Sequence, residues 1–172
     1  MPRIPLIENR DDIVDADQLA AFDHIISTRG KVLRPFAIAL YRPPTAGALT
    51  DLGSEIRYGS ILNDRDREVL TCSVAHAQRC EFEWVSHIRF AKEVGVSDAT
   101  LEAIRNDTYV LDADDALLVE FALELCRTGF VNTSTFERMR ERLGNEGVVE
   151  AVILIGYYTM LALLLNSFEV SS

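Results

Sequence analysis

Apolar residues recur along almost the whole chain at spacings of three and four, the repeat that lines one face of an α-helix. Residues 15 to 28 carry Leu19, Phe22, Ile25 and Ile26 in this register, and Gly30 follows as a stop. Pro35 suits the first turn of a short helix that must end before Pro43 and Pro44, and residues 45 to 58 predict another, closed by Gly59. Asn63 or Asp64 caps a helix running to about Gln78, with Val69, Leu70 and Val74 as its apolar positions. Residues 80 to 93 are amphipathic and stop at Gly95; Ser97 then opens a short helix through Ile104. Residues 112 to 127 place Leu117, Leu118, Phe121, Ala122 and Leu125 on one side. Ser134 and Glu137 have capping-box spacing for a helix ending at Gly144, and a last helix begins near Gly147, apolar nearly all round. No alternating β-branched run of strand length competes. The pattern predicts an all-α bundle of roughly eight helices, with residues 1–172 forming a single domain.

The composition narrows the function. A chain of 172 residues buries a core without disulfide or metal staples. The formal net charge of −10 argues against general phosphate-backbone binding, so no nucleic-acid partner is expected. Except for Lys31 and Lys92, the 17 basic residues are arginines, the side chain that grips carboxylates bidentately. Three cysteines (Cys72, Cys80 and Cys126) form no CxxC pair, which fits a reducing cytoplasm better than a secreted disulfide framework. The N-terminus shows no apolar run behind its charge, so no signal peptide is read there. Residues 148–165 are apolar enough to suggest a membrane span. Their Glu150, Gly156, Tyr157, Tyr158 and Thr159 favour a core or subunit-interface helix, and no membrane partner is expected.

Residues 67 to 95 hold the candidate chemistry. Cys80, Glu83, Trp84 and His87 stand at i, i+3, i+4 and i+7 and therefore share one helix face. A thiol, a carboxylate, an indole and an imidazole together are unusual for a purely packing face, because burying an unpaired carboxylate is costly. Glu83 and His87, one turn apart, can share a hydrogen bond that sets the imidazole's proton position and poises it for acid–base work. Cys80 near a helix start can gain thiolate character from exposed backbone N–H groups, an effect that Glu83 opposes by repulsion. Each feature also has a plain reading: a Glu-x-x-x-His pair occurs on solvated faces, Cys80 and Cys126 suit a core, and Trp84 suits packing. Cys72 and His76, another i, i+4 pair, fall short of a metal-ligand pattern, and no metal is expected.

Arg67-Glu68, the apolar helix after it, then Cys80-Glu81-Phe82-Glu83-Trp84, His87, Ala91 and Gly95 resemble the signature of the carboxymuconolactone decarboxylase-like (AhpD-like) superfamily. GVSDATLEAI from Gly95 and GYYTMLALLLNSFEV from Gly156 resemble it too, so the similarity spans about residues 30–170. In the alkylhydroperoxidase arm of that superfamily, Glu is followed after eleven residues by Cys-x-x-Cys-x-x-x-His. Glu68, Cys80 and His87 match, but Glu83 stands where the second thiol would be. The decarboxylase arm lacks the dithiol and carries Glu-x-x-x-His, which Glu83 and His87 match.

The resemblance implies a catalytic set of Glu68, Cys80, Glu83 and His87, with Glu68 brought in by the preceding helix, and no metal or organic cofactor. The small-molecule substrate would rest on Trp84 and an arginine such as Arg34, Arg42 or Arg57. Three functions stay open: a cofactor-free lyase or isomerase acting on a small organic acid or lactone, a thiol-dependent peroxidase using Cys80, and a non-catalytic oligomeric binding protein. A homo-oligomer, trimeric or hexameric, is expected from the apolar last helix and from the resemblance.

Overall fold

Four of the predicted helix starts meet their backbone need with a local side chain. In the computed structural model, which describes residues 1–108 and 112–171, Asp15, Asn63, Ser97 and Asp112 accept hydrogen bonds from N–H groups of the first turns that follow them. The elements, in order, are a 3-10 turn (Arg10–Asp12), α1 (Ala16–Arg29), α2 (Arg34–Ala39), α3 (Pro43–Ser54) and a π-type turn (Glu55–Gly59). Then follow α4 (Asp64–Ala77), α5 (Glu81–Glu93), α6 (Asp98–Arg105), α7 (Ala113–Thr128) and α8 (Thr133–Ser167). No strand occurs among the described residues. The protein is all-α, as the periodicity predicts.

The chain packs as two units. The first comprises Met1–Ser60 and Leu164–Ser171. In it α3 packs on α1 and α2, around Phe22, Ile25, Phe36, Ala46 and Leu49. Its two chain ends are joined: the Arg3 N–H donates to the Phe168 carbonyl (2.9 Å), and the Arg3 guanidinium pairs with Glu169 (2.6 Å).

The second unit, Ile61–Leu163, is organised by α4, which α5, α6 and α7 pack against. Every residue from Glu68 to Ala75 is buried, so α4 is enclosed on all sides. Such a helix needs partners for its polar groups, and the Thr71 and Ser73 hydroxyls donate to carbonyls one turn back. Two ion pairs with buried carboxylates tie the surroundings to it. Asp115 of α7, fully enclosed, receives both guanidinium nitrogens of Arg65 (2.6 and 2.9 Å) and the Thr100 hydroxyl (2.8 Å). Asp66 receives Arg142 of α8, with both contacts at 2.9 Å.

One expectation needs correcting. The helix that begins at Thr133 is capped by the Asn132 side chain, which accepts from the Thr135 N–H (3.0 Å). Glu137 pairs with Arg140 instead of closing a capping box, because Ser134 already lies inside the helix. The last helix, expected to be a core or subunit-interface helix, is enclosed on one side only. α8 turns at Gly144, whose φ of 69° and ψ of 177° suit a residue without Cβ. Beyond it, Val149, Val152, Ile153, Met160 and Leu163 stay exposed. α8 is long and apolar enough to cross a membrane by length and composition alone, and 44% of its apolar window is buried within the protein.

Candidate active site

The site is assembled where α4 gives way to α5. The first helix ends at Gln78, and Arg79 takes a left-handed backbone (φ 52°), which lets the Cys80 N–H return to the Ala75 carbonyl (2.9 Å). Cys80 is then the N-cap of α5, and α4 and α5 pack against each other. This reversal brings Glu68 from α4 to the helix face that carries Glu83 and His87. His87 Nδ1 lies 2.8 Å from Glu68 Oε2, and His87 Nε2 lies 3.4 Å from Glu83 Oε2. All three residues are buried, between 5% and 6% exposed. The imidazole edge meets the rings of Tyr158 (5.0 Å) and Phe90 (5.9 Å).

Burial alone would push the imidazole toward its neutral form. The hydrogen bonds and charges of Glu68 and Glu83 outweigh that and raise the His87 pKa to about 9. At neutral pH the ring is therefore an imidazolium, with Nδ1–H held by Glu68 and Nε2–H beside Glu83. The tight partner is Glu68, from a different helix, rather than the one-turn neighbour Glu83 singled out by sequence spacing. A protonated, buried imidazole flanked by two carboxylic side chains is equipped to donate a proton and be recharged.

Cys80 is buried beside this array. Burial raises its thiol pKa; the Glu83 and Phe82 N–H groups oppose the rise, while the Glu83 charge adds to it. Its place at the helix start therefore does not yield a low-pKa thiolate. Cys72 is fully enclosed, and burial and then Glu68 push its thiol far up. Burial raises Cys126 as well. All three cysteines are free thiols. His76 turns to Asp107 (3.0 Å) rather than to Cys72.

Trp84 is buried, with the Arg105 guanidinium 5.1 Å above its ring and His76 at its edge (6.5 Å). Arg34, Arg42 and Arg57 belong to the first unit. Arg34 donates to the Ser171 carbonyl, Arg42 precedes α3, and Arg57 lies in the π-type turn. Tyr158, the ring against His87, was not singled out by sequence reasoning, since nothing in its local pattern says which face of α8 meets α5.

Residues 43–124 match the model of the carboxymuconolactone decarboxylase family. These residues include Glu68, Cys80, Glu83 and His87, and the fold agrees with AhpD-like structures. Just under half of the chain therefore matches the carboxymuconolactone decarboxylase family, and the chain as a whole shares the AhpD-like fold. An AhpD-core peroxidase-related protein from Ralstonia eutropha JMP134 is 16% identical with a TM-score of 0.77, over 99% of this chain and 91% of that one. A putative antioxidant defence protein AhpD from Agrobacterium tumefaciens is 17% identical with a TM-score of 0.67, over 77% of this chain and 93% of that one. A cysteine-to-alanine variant of the debrominase Bmp8, in complex with 2,3,4-tribromopyrrole, is 12% identical with a TM-score of 0.71, over 98% and 92%. At these identities the three share a fold with this chain, and their reactions remain their own. No protein of curated function matches the sequence.

Proposed function

We propose that this protein is a cofactor-free acid–base lyase or isomerase acting on a small organic acid or lactone, with His87 as the proton donor. One observation carries the reading: the buried Glu68–His87–Glu83 array, in which paired carboxyl groups keep the imidazole protonated through neutral pH. In a decarboxylation, the bond to the departing carboxylate breaks, CO2 leaves, and the electron pair stays on carbon, delocalised into a conjugated carbonyl. His87 Nε2–H then protonates that carbon, and water returns the proton to the ring. Glu68 stabilises the cation through Nδ1 and so is a positioning residue. Glu83, beside Nε2, stands where the transferred proton passes and serves as the base when the reaction is an isomerisation.

The state of Cys80 favours this reading over a thiol peroxidase. A buried thiol with a raised pKa, and with Glu83 three residues on where a resolving thiol would stand, lacks the thiolate that attacks a peroxide.

The test is turnover of γ-carboxymuconolactone, followed by loss of its ultraviolet absorbance, together with peroxide consumption in the presence of dithiothreitol. The native protein and Cys80→Ser should both turn over the lactone, while His87→Gln should lose about 100-fold or more. Peroxide turnover by the native protein that disappears in Cys80→Ser, without lactone turnover, would replace this reading with the peroxidase.

A further inference from the structure

Beside Trp84, against which Arg105 and His76 stand, the ends of four helices line an open polar cleft of about 460 Å³, with His76, Arg79, Glu81, Arg105, Asp107 and Arg127 around it. All of these residues lie in the second unit, and none belongs to the Glu68–Glu83–His87 array. The volume suits a small ligand. Three guanidinium groups face two carboxylates, so the cavity keeps at least one net positive charge in a protein whose formal net charge is −10.

The pairing within the cavity leaves a cation to spare. Asp107 Oδ1 takes both Arg127 (2.5 Å) and His76 (3.0 Å), and Glu81 takes Arg105 (2.7 Å). Arg79 has no side-chain hydrogen bond or ion pair among the described residues. Its backbone is held in the left-handed turn between α4 and α5, so the position of its Cα is set by the same reversal that assembles the active site. Arg105 is immobilised by Glu81 on one edge and by the indole of Trp84 beneath its plane. A guanidinium with no partner among the described residues, beside two that are already paired, offers donors to two or three oxygens of one anion.

We infer that this cavity is a second binding site, for a small oxyanion (a carboxylate or a phosphate group) held by Arg79, Arg105 and Arg127. The site does not depend on the proposed reaction at His87. The ligand's oxygens take the open donors of Arg79 and share those of Arg105 and Arg127, whose remaining N–H groups keep Glu81 and Asp107. No bond is made or broken.

Trp84 is the only tryptophan, and it lies under Arg105, so its emission reports occupancy. The native protein is titrated with inorganic phosphate and, separately, with succinate, at constant ionic strength with sodium chloride as the control. Calorimetry is run in parallel, so that binding without an emission change is still seen. The expected result is saturable binding of one or both anions, absent for chloride. Arg79→Gln should weaken it at least about tenfold, and Arg89→Gln, on the exposed face of α5, should leave it unchanged. Arg79→Gln removes no ion pair among the described residues; Arg127→Met is the second variant and should give the same loss. Saturation by phosphate alone assigns the phosphate class, and by succinate alone the carboxylate class. A response no different from chloride, or equal affinity in both cavity variants and the native protein, overturns the site.

Discussion

Replacing Glu68 by Gln removes one charge from the buried array and keeps an oxygen to accept from His87 Nδ1–H. In the native protein the His87 pKa stands at about 9, against 6.5 for an unperturbed imidazole. With about 1.4 kcal/mol per pKa unit, the fold favours the imidazolium over the neutral ring by about 3 kcal/mol. The sign follows from the direction of the shift. A folded-state pKa above the unfolded one contributes stability that is fully present below about pH 6.5 and is lost as pH rises through about 9. An opposite charge within hydrogen-bonding distance moves a pKa by about 1 to 3 units. Glu68 is the nearer partner at 2.8 Å, and Glu83 is left at 3.4 Å. In Glu68→Gln the His87 midpoint should therefore fall by about 1 to 3 units, with burial free to push it down further. The protein has three histidines, so NMR titration of the imidazole resonances resolves the midpoint. Urea unfolding at pH 6 and pH 10 gives the matching stability difference: native exceeds variant by about 1 to 4 kcal/mol at pH 6, and the gap narrows at pH 10. A His87 midpoint within half a unit of native, or a stability gap independent of pH, would refute the reasoning.

Three further outcomes follow from particular contacts. Glu83→Cys sets a second thiol three residues after Cys80 at the start of α5; a reversible intramolecular disulfide and dithiol-dependent peroxide reduction should appear, and mass spectrometry showing only free thiols would contradict this. Arg65→Ala strands the fully enclosed Asp115 carboxylate and should cost about 3 to 5 kcal/mol in urea unfolding; a loss below about 1 kcal/mol would show that the pair is dispensable. The exposed Val149, Val152, Ile153 and Leu163 on α8 motivate a homo-oligomer in which copies cover this face, and light scattering at micromolar protein that shows only a 19.3 kDa species would reject it.

The helices were legible because helix formation is largely local. A side chain such as Asp15, Asn63, Ser97 or Asp112 satisfies N–H groups two or three residues away, and Gly30 ends α1 by taking a left-handed φ of 72° itself. The helical face of Cys80, Glu83, Trp84 and His87 follows from the same 3.6-residue period. Family resemblance added Glu68, whose 19-residue separation from His87 no periodicity links. What the sequence left undecided depends on where helices lie against one another. That arrangement makes Glu68, not Glu83, the tight partner of His87 and brings Tyr158 to the ring. It encloses α4 rather than the more apolar α8, because enclosure is set by how many neighbours surround a helix and not by its own hydrophobicity. It also sets the state of Cys80: the helix start that favours a thiolate is read from sequence, while the burial that overrides it is a property of the packed fold.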